Sequence, residues 1–294
     1  MDINESNISD NSKCMFLLCK LLDSKGGFNA VGRAVLDLFD RGGLLAGTSA
    51  GAHMLGNICF QDADSHEILT SPVPTKAQVS AEGVHCGPEG AVYDGLPCAV
   101  EASGHSLVFD SHFGARGRLA RLAVMQSSTG ADFAIGLDEA TGLAVSGGVG
   151  TVYGSDTVTI LDKSGAEYTG NDKAFGVKGL KLVLLSPGDC FDFNTGAVTP
   201  SKAKSPAAPS LEPEQPKDLL GDSSVQARAV ITLALSGQQE QTYPLDAGGQ
   251  SFTAVLNKTG SFAAFAGQRT YSGSGLTDLT QTTVSGMELD ILPQ

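Results

Sequence analysis

The chain has 294 residues, room for one main domain with a smaller addition, and its 41% hydrophobic and 17% charged content with 37 glycines describes a turn-rich globular protein. A formal charge of −13, with no basic stripe interleaved with aromatics, argues against a nucleic-acid partner because a phosphate backbone would be repelled. No apolar run spans a membrane, the run 15–22 being broken by Cys19 and Lys20, and six cysteines without a CxxC pair or His/Cys ligand spacing give no sign of a metal or cofactor.

Along the chain, residues 28–41 place Val31, Val35, Leu38 and Phe39 at helical spacing and predict a helix that stops at Gly42-Gly43, where a left-handed cap is needed. Residues 44–46 predict a short buried strand, and a new helix starts within 47–55, so Ser49 stands in a strand, sharp turn, helix arrangement. From about 100 to 198, strand-like runs at 106–109, 142–145, 157–161 and 180–185 alternate with one clear helix at 117–125, an α/β pattern. The stretch 199–217 holds five prolines and almost no large apolar residue, which predicts a solvated linker between a domain at 1–198 and a β-rich appendage at 218–294. Within that appendage, 228–235, 251–256 and 287–292 alternate like strands.

Gly47-Thr48-Ser49-Ala50-Gly51 is a Gly-x-Ser-x-Gly turn, which holds the serine side chain out from the backbone and faces it toward a helix N-terminus, where the Ala50 N–H can bind an oxyanion. A small-residue turn without chemistry has the same pattern, so the serine needs a base. Of the five histidines, His53, His66, His85 and His105 read as surface or satisfied structural residues. His112 differs because it closes the run 107–109 within Asp110-Ser111-His112-Phe113, and strand ends are where an α/β sheet places its chemistry.

Four blocks resemble the cyanophycinase family of serine peptidases (S51). They are the GTSAGA turn, the block Asp110-x-His112-Phe113-x-x-Arg116-x-Arg118-x-x-Arg121-Leu122, the segment 134–139 ending Leu137-Asp138-Glu139, and the closing Ser186-Pro187-Gly188-Asp189-Cys190-Phe191-Asp192. The resemblance spans roughly 28–198. It implies a three-layer, parallel-sheet hydrolase domain of the class I glutamine amidotransferase type, lacking its first strands, and a triad of Ser49 as nucleophile, His112 as base and Glu139 as orienting acid. Asp110, Ser111, Arg116, Arg118 and Arg121 are by the same resemblance substrate-binding, the arginines gripping substrate carboxylates.

The implied substrate is an aspartyl and arginyl peptide such as cyanophycin, cut through an acyl-enzyme to give β-Asp-Arg dipeptides, without a cofactor and with a homodimer as the candidate assembly. Ser111 departs from the family's glutamine, and no Gly-Gly-[Asp/Asn]-Gln turn precedes the serine, so a catalytically inactive binding protein is the alternative. An esterase with a similar turn is the third reading, although its acid would lie between serine and histidine rather than after His112. The polar N-terminus places the chain in the cytoplasm as written; export remains open if the chain is truncated, and would allow a Cys86–Cys98 disulfide.

Overall fold

The computed structural model describes residues 20–23, 27–60, 63–70, 92–171, 173–267 and 281–294. Helix α1 (Ala30–Asp40) starts where the Asn29 side chain accepts from the N–H groups of Val31 and Gly32, and Gly42 at φ 82° supplies the left-handed exit expected of the glycine pair. Val35 and Phe39 pack inward against Leu21 and Leu96, whereas Val31 and Leu38 stay exposed. Residues 44–46, expected as a buried strand, have no ladder partner among the described residues, and Leu44 is 84% exposed.

The chain continues through α2 (Ala50–Leu55), β1 (Ile58–Phe60), α3 (Ser65–Thr70), β2 (Val92–Asp94), α4 (Cys98–Ser103), β3 (Leu107–Asp110), α5 (Leu119–Thr129) and β4 (Phe133–Leu137). Next come β5 (Thr141–Ser146), β6 (Val149–Gly154), β7 (Val158–Asp162), β8 (Glu167–Tyr168), β9 (Val177–Leu185), β10 (Cys190–Asp192), β11 (Ala197–Thr199) and β12 (Lys204–Pro206). The last elements are α6 (Val225–Ala234), β13 (Glu240–Ala247), β14 (Gln250–Gly267) and β15 (Thr282–Pro293).

One mixed sheet runs β12-β14-β15-β9-β7-β4-β3-β1-β2, with β13 on β14 and β8 on β9. Its parallel part is β1, β3 and β4, and antiparallel strands extend it on both sides. Both faces of the parallel part are covered, so β3 reads as a continuous apolar run. Val108 and Ala134 face α5 and share one core cluster with Leu122 and, from α6, Leu233. Leu107, Phe109, Phe133 and Ile135 face the second sheet, β11-β10-β6-β5, against Val152, Phe191 and Phe193. The α/β class and its three layers follow from this two-residue alternation.

The β-rich C-terminal part is built onto that same sheet. β15 pairs antiparallel with β9, and Leu219, Val230, Leu233 and Leu289 join the core cluster that holds Val108. The proline-rich stretch expected as a linker contributes β12, paired with β14, and the Lys204 ammonium reaches Asp189 at 2.6 Å in a buried ion pair. Residues 228–235, expected as a strand, lie mostly in helix α6. The Thr232 hydroxyl bonds back to the Arg228 carbonyl, and burial nearly all round the helix hides its period.

Candidate functional site

Ser49 precedes α2 with φ 52° and ψ −124°, a left-handed conformation that a residue with a β-carbon adopts only under constraint. Gly47 makes the bend: a β-carbon there would lie 2.2 Å from the Gly51 carbonyl oxygen. A β-carbon on Gly51 would meet nothing within 4 Å, so the two glycines of the motif are not equivalent. Ala50 opens α2, and its N–H belongs to the donors that a helix start leaves without an intrahelical acceptor.

His112 follows β3 with φ 49°, and Glu139 follows β4, the neighbouring parallel strand. The two strand ends and the turn converge. Ser49 Oγ lies 3.0 Å from His112 Nε2, and His112 Nδ1 lies 2.6 Å from Glu139 Oε1. With Nδ1–H donating to the carboxylate, Nε2 is left as acceptor for the serine hydroxyl. The His112 hydrogen bond, helped by the charge of Arg116, holds the Glu139 carboxyl below the ordinary glutamate range, so it stays ionised.

Ser49, His112 and Glu139 sit in a cleft of about 620 Å³ whose wall includes Leu44, Leu55, Phe109, Leu137, Leu143 and Tyr153. Ser111 also lines it, and Arg116 is exposed beside Glu139. Asp110, Arg118 and Arg121, expected to bind substrate, are not among its lining residues. Arg121 is 1% exposed and forks onto Asp110, Nε to Oδ2 at 2.7 Å and Nη2 to Oδ1 at 2.6 Å. Arg118, also buried, donates through Nη1 to Asp110 Oδ1 at 3.2 Å and to the Ser111 carbonyl at 2.6 Å. Helix α5 begins beside the β3 terminus, so both guanidinium groups are drawn under the strand end that carries His112.

Three contributors were not singled out from sequence. Asp138, buried next to Glu139, accepts from the Gly114 N–H at 2.6 Å and from the Thr157 hydroxyl, tying the His112 turn to β4. Burial pushes its carboxyl up to about 6. At the start of α6, Ser223 N donates to the Ala115 carbonyl at 3.2 Å, Ser224 N to that of Gly114 at 2.7 Å, and Gln226 Nε2 to that of Phe113 at 3.3 Å. His53, buried in α2, meets Ser111 with Nε2 3.0 Å from the hydroxyl. The adjacent pair of acids after a strand was a usable signal for Asp138; nothing local marks residues 223–226, whose partners are over a hundred positions away.

His66 bonds Asp218 at 2.9 Å, and His105 lies against Phe133 ring edge to face, in keeping with structural roles. His85 and Cys86 lie outside the described residues, and with Cys86 the expected Cys86–Cys98 pairing; Cys98 is buried in α4. Among the described residues no cluster of three His, Cys, Asp or Glu side chains is placed to hold a metal, and no helix is long and apolar enough to cross a membrane.

Compared with known proteins, the chain is 30% identical over 162 residues to the cyanophycinases of Synechococcus elongatus and Thermosynechococcus vestitus. Over that stretch it is similar to these two proteins. The match takes in 53% of this chain and 44% of each relative, so the chain spans less than half the length of the curated relatives it matches. No family model matches it.

Proposed function

We propose that this chain is a serine-type hydrolase of the cyanophycinase kind, acting on peptides at aspartyl residues. The observation that carries the reading is the continuous hydrogen-bonded chain from Ser49 Oγ through His112 to Glu139 at 3.0 and 2.6 Å. As Ser49 Oγ attacks the carbonyl carbon, its proton passes to His112 Nε2, and the ionised Glu139 stabilises the imidazolium. The Ala50 N–H is the oxyanion donor within the turn, and His112 then returns the proton to the departing amine. Water enters by the reverse sequence and releases the acyl group from Ser49.

With Arg118 and Arg121 committed to Asp110, Arg116 is the arginine left to meet a substrate carboxylate. Purified chain incubated with cyanophycin releases β-Asp-Arg dipeptides, and Ser49→Ala releases none; equal background from both sinks this assignment of substrate. A second reading, an esterase for apolar acyl groups, is favoured by one observation: the cleft wall carries five leucines with Phe109 and Tyr153, and no lysine or arginine is among its lining residues. It predicts turnover of p-nitrophenyl acyl esters that survives Glu139→Gln, which the triad reading does not.

A further inference from the structure

We infer that His53 is a positioning residue for the Ser49–His112 pair, acting as an uncharged hydrogen-bond acceptor that ties the nucleophile's helix to the base's loop; this rests on the hydrolase reading above. His53 lies one helical turn after Ser49, in a helix whose first carbonyl, that of Ser49, accepts from the N–H groups of Ala52 and His53 at 2.9 and 3.3 Å. Its ring crosses to the residue immediately before His112. The Ser111 N–H donates to His53 Nε2 at 3.1 Å, and the Ser111 hydroxyl lies 3.0 Å from the same nitrogen. A backbone N–H can be received there only if Nε2 carries no proton.

The far side of this bridge is rigid. Ser111 N also donates to Asp110 Oδ1 at 2.8 Å, its carbonyl accepts from Arg118, and Asp110 is gripped by Arg121. A shift of α2 relative to β3 therefore has to break the His53–Ser111 contact before it can lengthen the 3.0 Å gap between Ser49 and His112. The groups facing His53 are Asp110 from β3, Arg118 just before α5, Arg121 from α5, and the Cys59 thiol from β1, which donates to the His53 carbonyl at 3.3 Å. Burial first, with the two guanidinium groups, holds the imidazole below its ordinary value against the opposing pull of Asp110, so the ring is neutral at pH 7.

The test is the rate at which a fluorophosphonate labels Ser49 in the full chain, because labelling requires the serine and its base in register. Misplacement by about an ångström lowers such a rate by about 10²-fold, so His53→Leu is expected to fall by that order. His53→Gln, whose amide oxygen reaches the position of Nε2, restores most of the rate, and His53→Asn, which is too short, does not. The rate in the parent chain falls further toward low pH than that of His53→Gln, because a charged His53 can no longer accept from the Ser111 N–H. Labelling of all three variants at the parent rate overturns the inference, and so does a glutamine variant as slow as the leucine one, since bulk alone would then matter. Should His53→Leu not fold, the glutamine against asparagine comparison decides alone. Absence of labelling in the parent chain would instead refute the Ser49 reading, which keeps the two failures apart.

Discussion

Ser49, His112 and Ala140, the residue after Glu139, hold φ values of 52°, 49° and 51°, and the two other non-glycine residues with positive φ among the described residues, Ser223 and Ser224, bond the turn after His112. Each such conformation costs about 1–3 kcal/mol unless its surroundings impose it. Ala140→Gly is therefore expected to raise stability by about 1 kcal/mol in urea unfolding while slowing turnover, since the Glu139 carboxylate loses its fixed direction. Glu139→Gln removes the ionised partner of the imidazolium and is expected to lower kcat by about 10²-fold with little change in KM, measured in steady-state kinetics. Asp138 gives a pH signature of its own. Its folded-state proton is held at about 6 against 3.8 in an unfolded chain, so the associated stability is complete below pH 3.8 and is lost as pH rises through 6. Asp138→Asn is then expected to be more stable than the parent at pH 8, by up to about 3 kcal/mol, with the gain vanishing below pH 4. Ser49 and His112 had local signatures, a Gly-x-Ser-x-Gly turn and a strand end, whereas Glu139 was pointed to only by the family resemblance. The inward turn of Arg118 and Arg121 was not legible, because it depends on where α5 starts relative to β3.

The element that bears His112 is the turn between β3 and α5, and it is clamped from both sides. A β-carbon on Gly136 of β4 would lie 2.4 Å from the Phe113 ring, so the glycine makes room for the side chain that anchors the turn. At Gly117, φ is 58° and a β-carbon would approach the Leu220 carbonyl oxygen to 1.9 Å. Gly117→Ala is expected to destabilise the chain by more than about 1 kcal/mol, read from the shift in urea midpoint. Gln226 tests the clamp differently. Its Oε1 is buried without a partner, and the Phe113 carbonyl also accepts from the Arg118 N–H at 3.1 Å, so Gln226→Leu is expected to leave stability near the parent value while slowing the reaction at Ser49. Helices α1 and α5 and strands β3 and β9 were readable from periodicity. Helix α6 was not, because burial of nearly its whole surface erases the polar face that a 3.6-residue period needs.

Across the whole molecule, the sheet joins the site to the C-terminal strands through β9 and β15, and one buried ion pair closes the seam. Asp189 receives Lys204 Nζ at 2.6 Å and the Thr283 hydroxyl at 2.6 Å, so a residue of the closing Ser-Pro-Gly-Asp block is held by two later elements. Lys204→Met leaves that carboxylate buried without its cation and is expected to destabilise by about 3–5 kcal/mol. Proline content made 199–217 look like a free linker, yet composition cannot register that a lysine within it, on a short edge strand, has a buried partner in an earlier turn. The central claim is that Ser49 is a nucleophile activated by His112. The direct test is mass-spectrometric mapping of a fluorophosphonate adduct in the full chain, in Ser49→Ala and in His112→Ala. A single adduct on Ser49 in the parent, absent from both variants, is the result expected; no adduct in the parent, or labelling of Ser49 undiminished in His112→Ala, would contradict it.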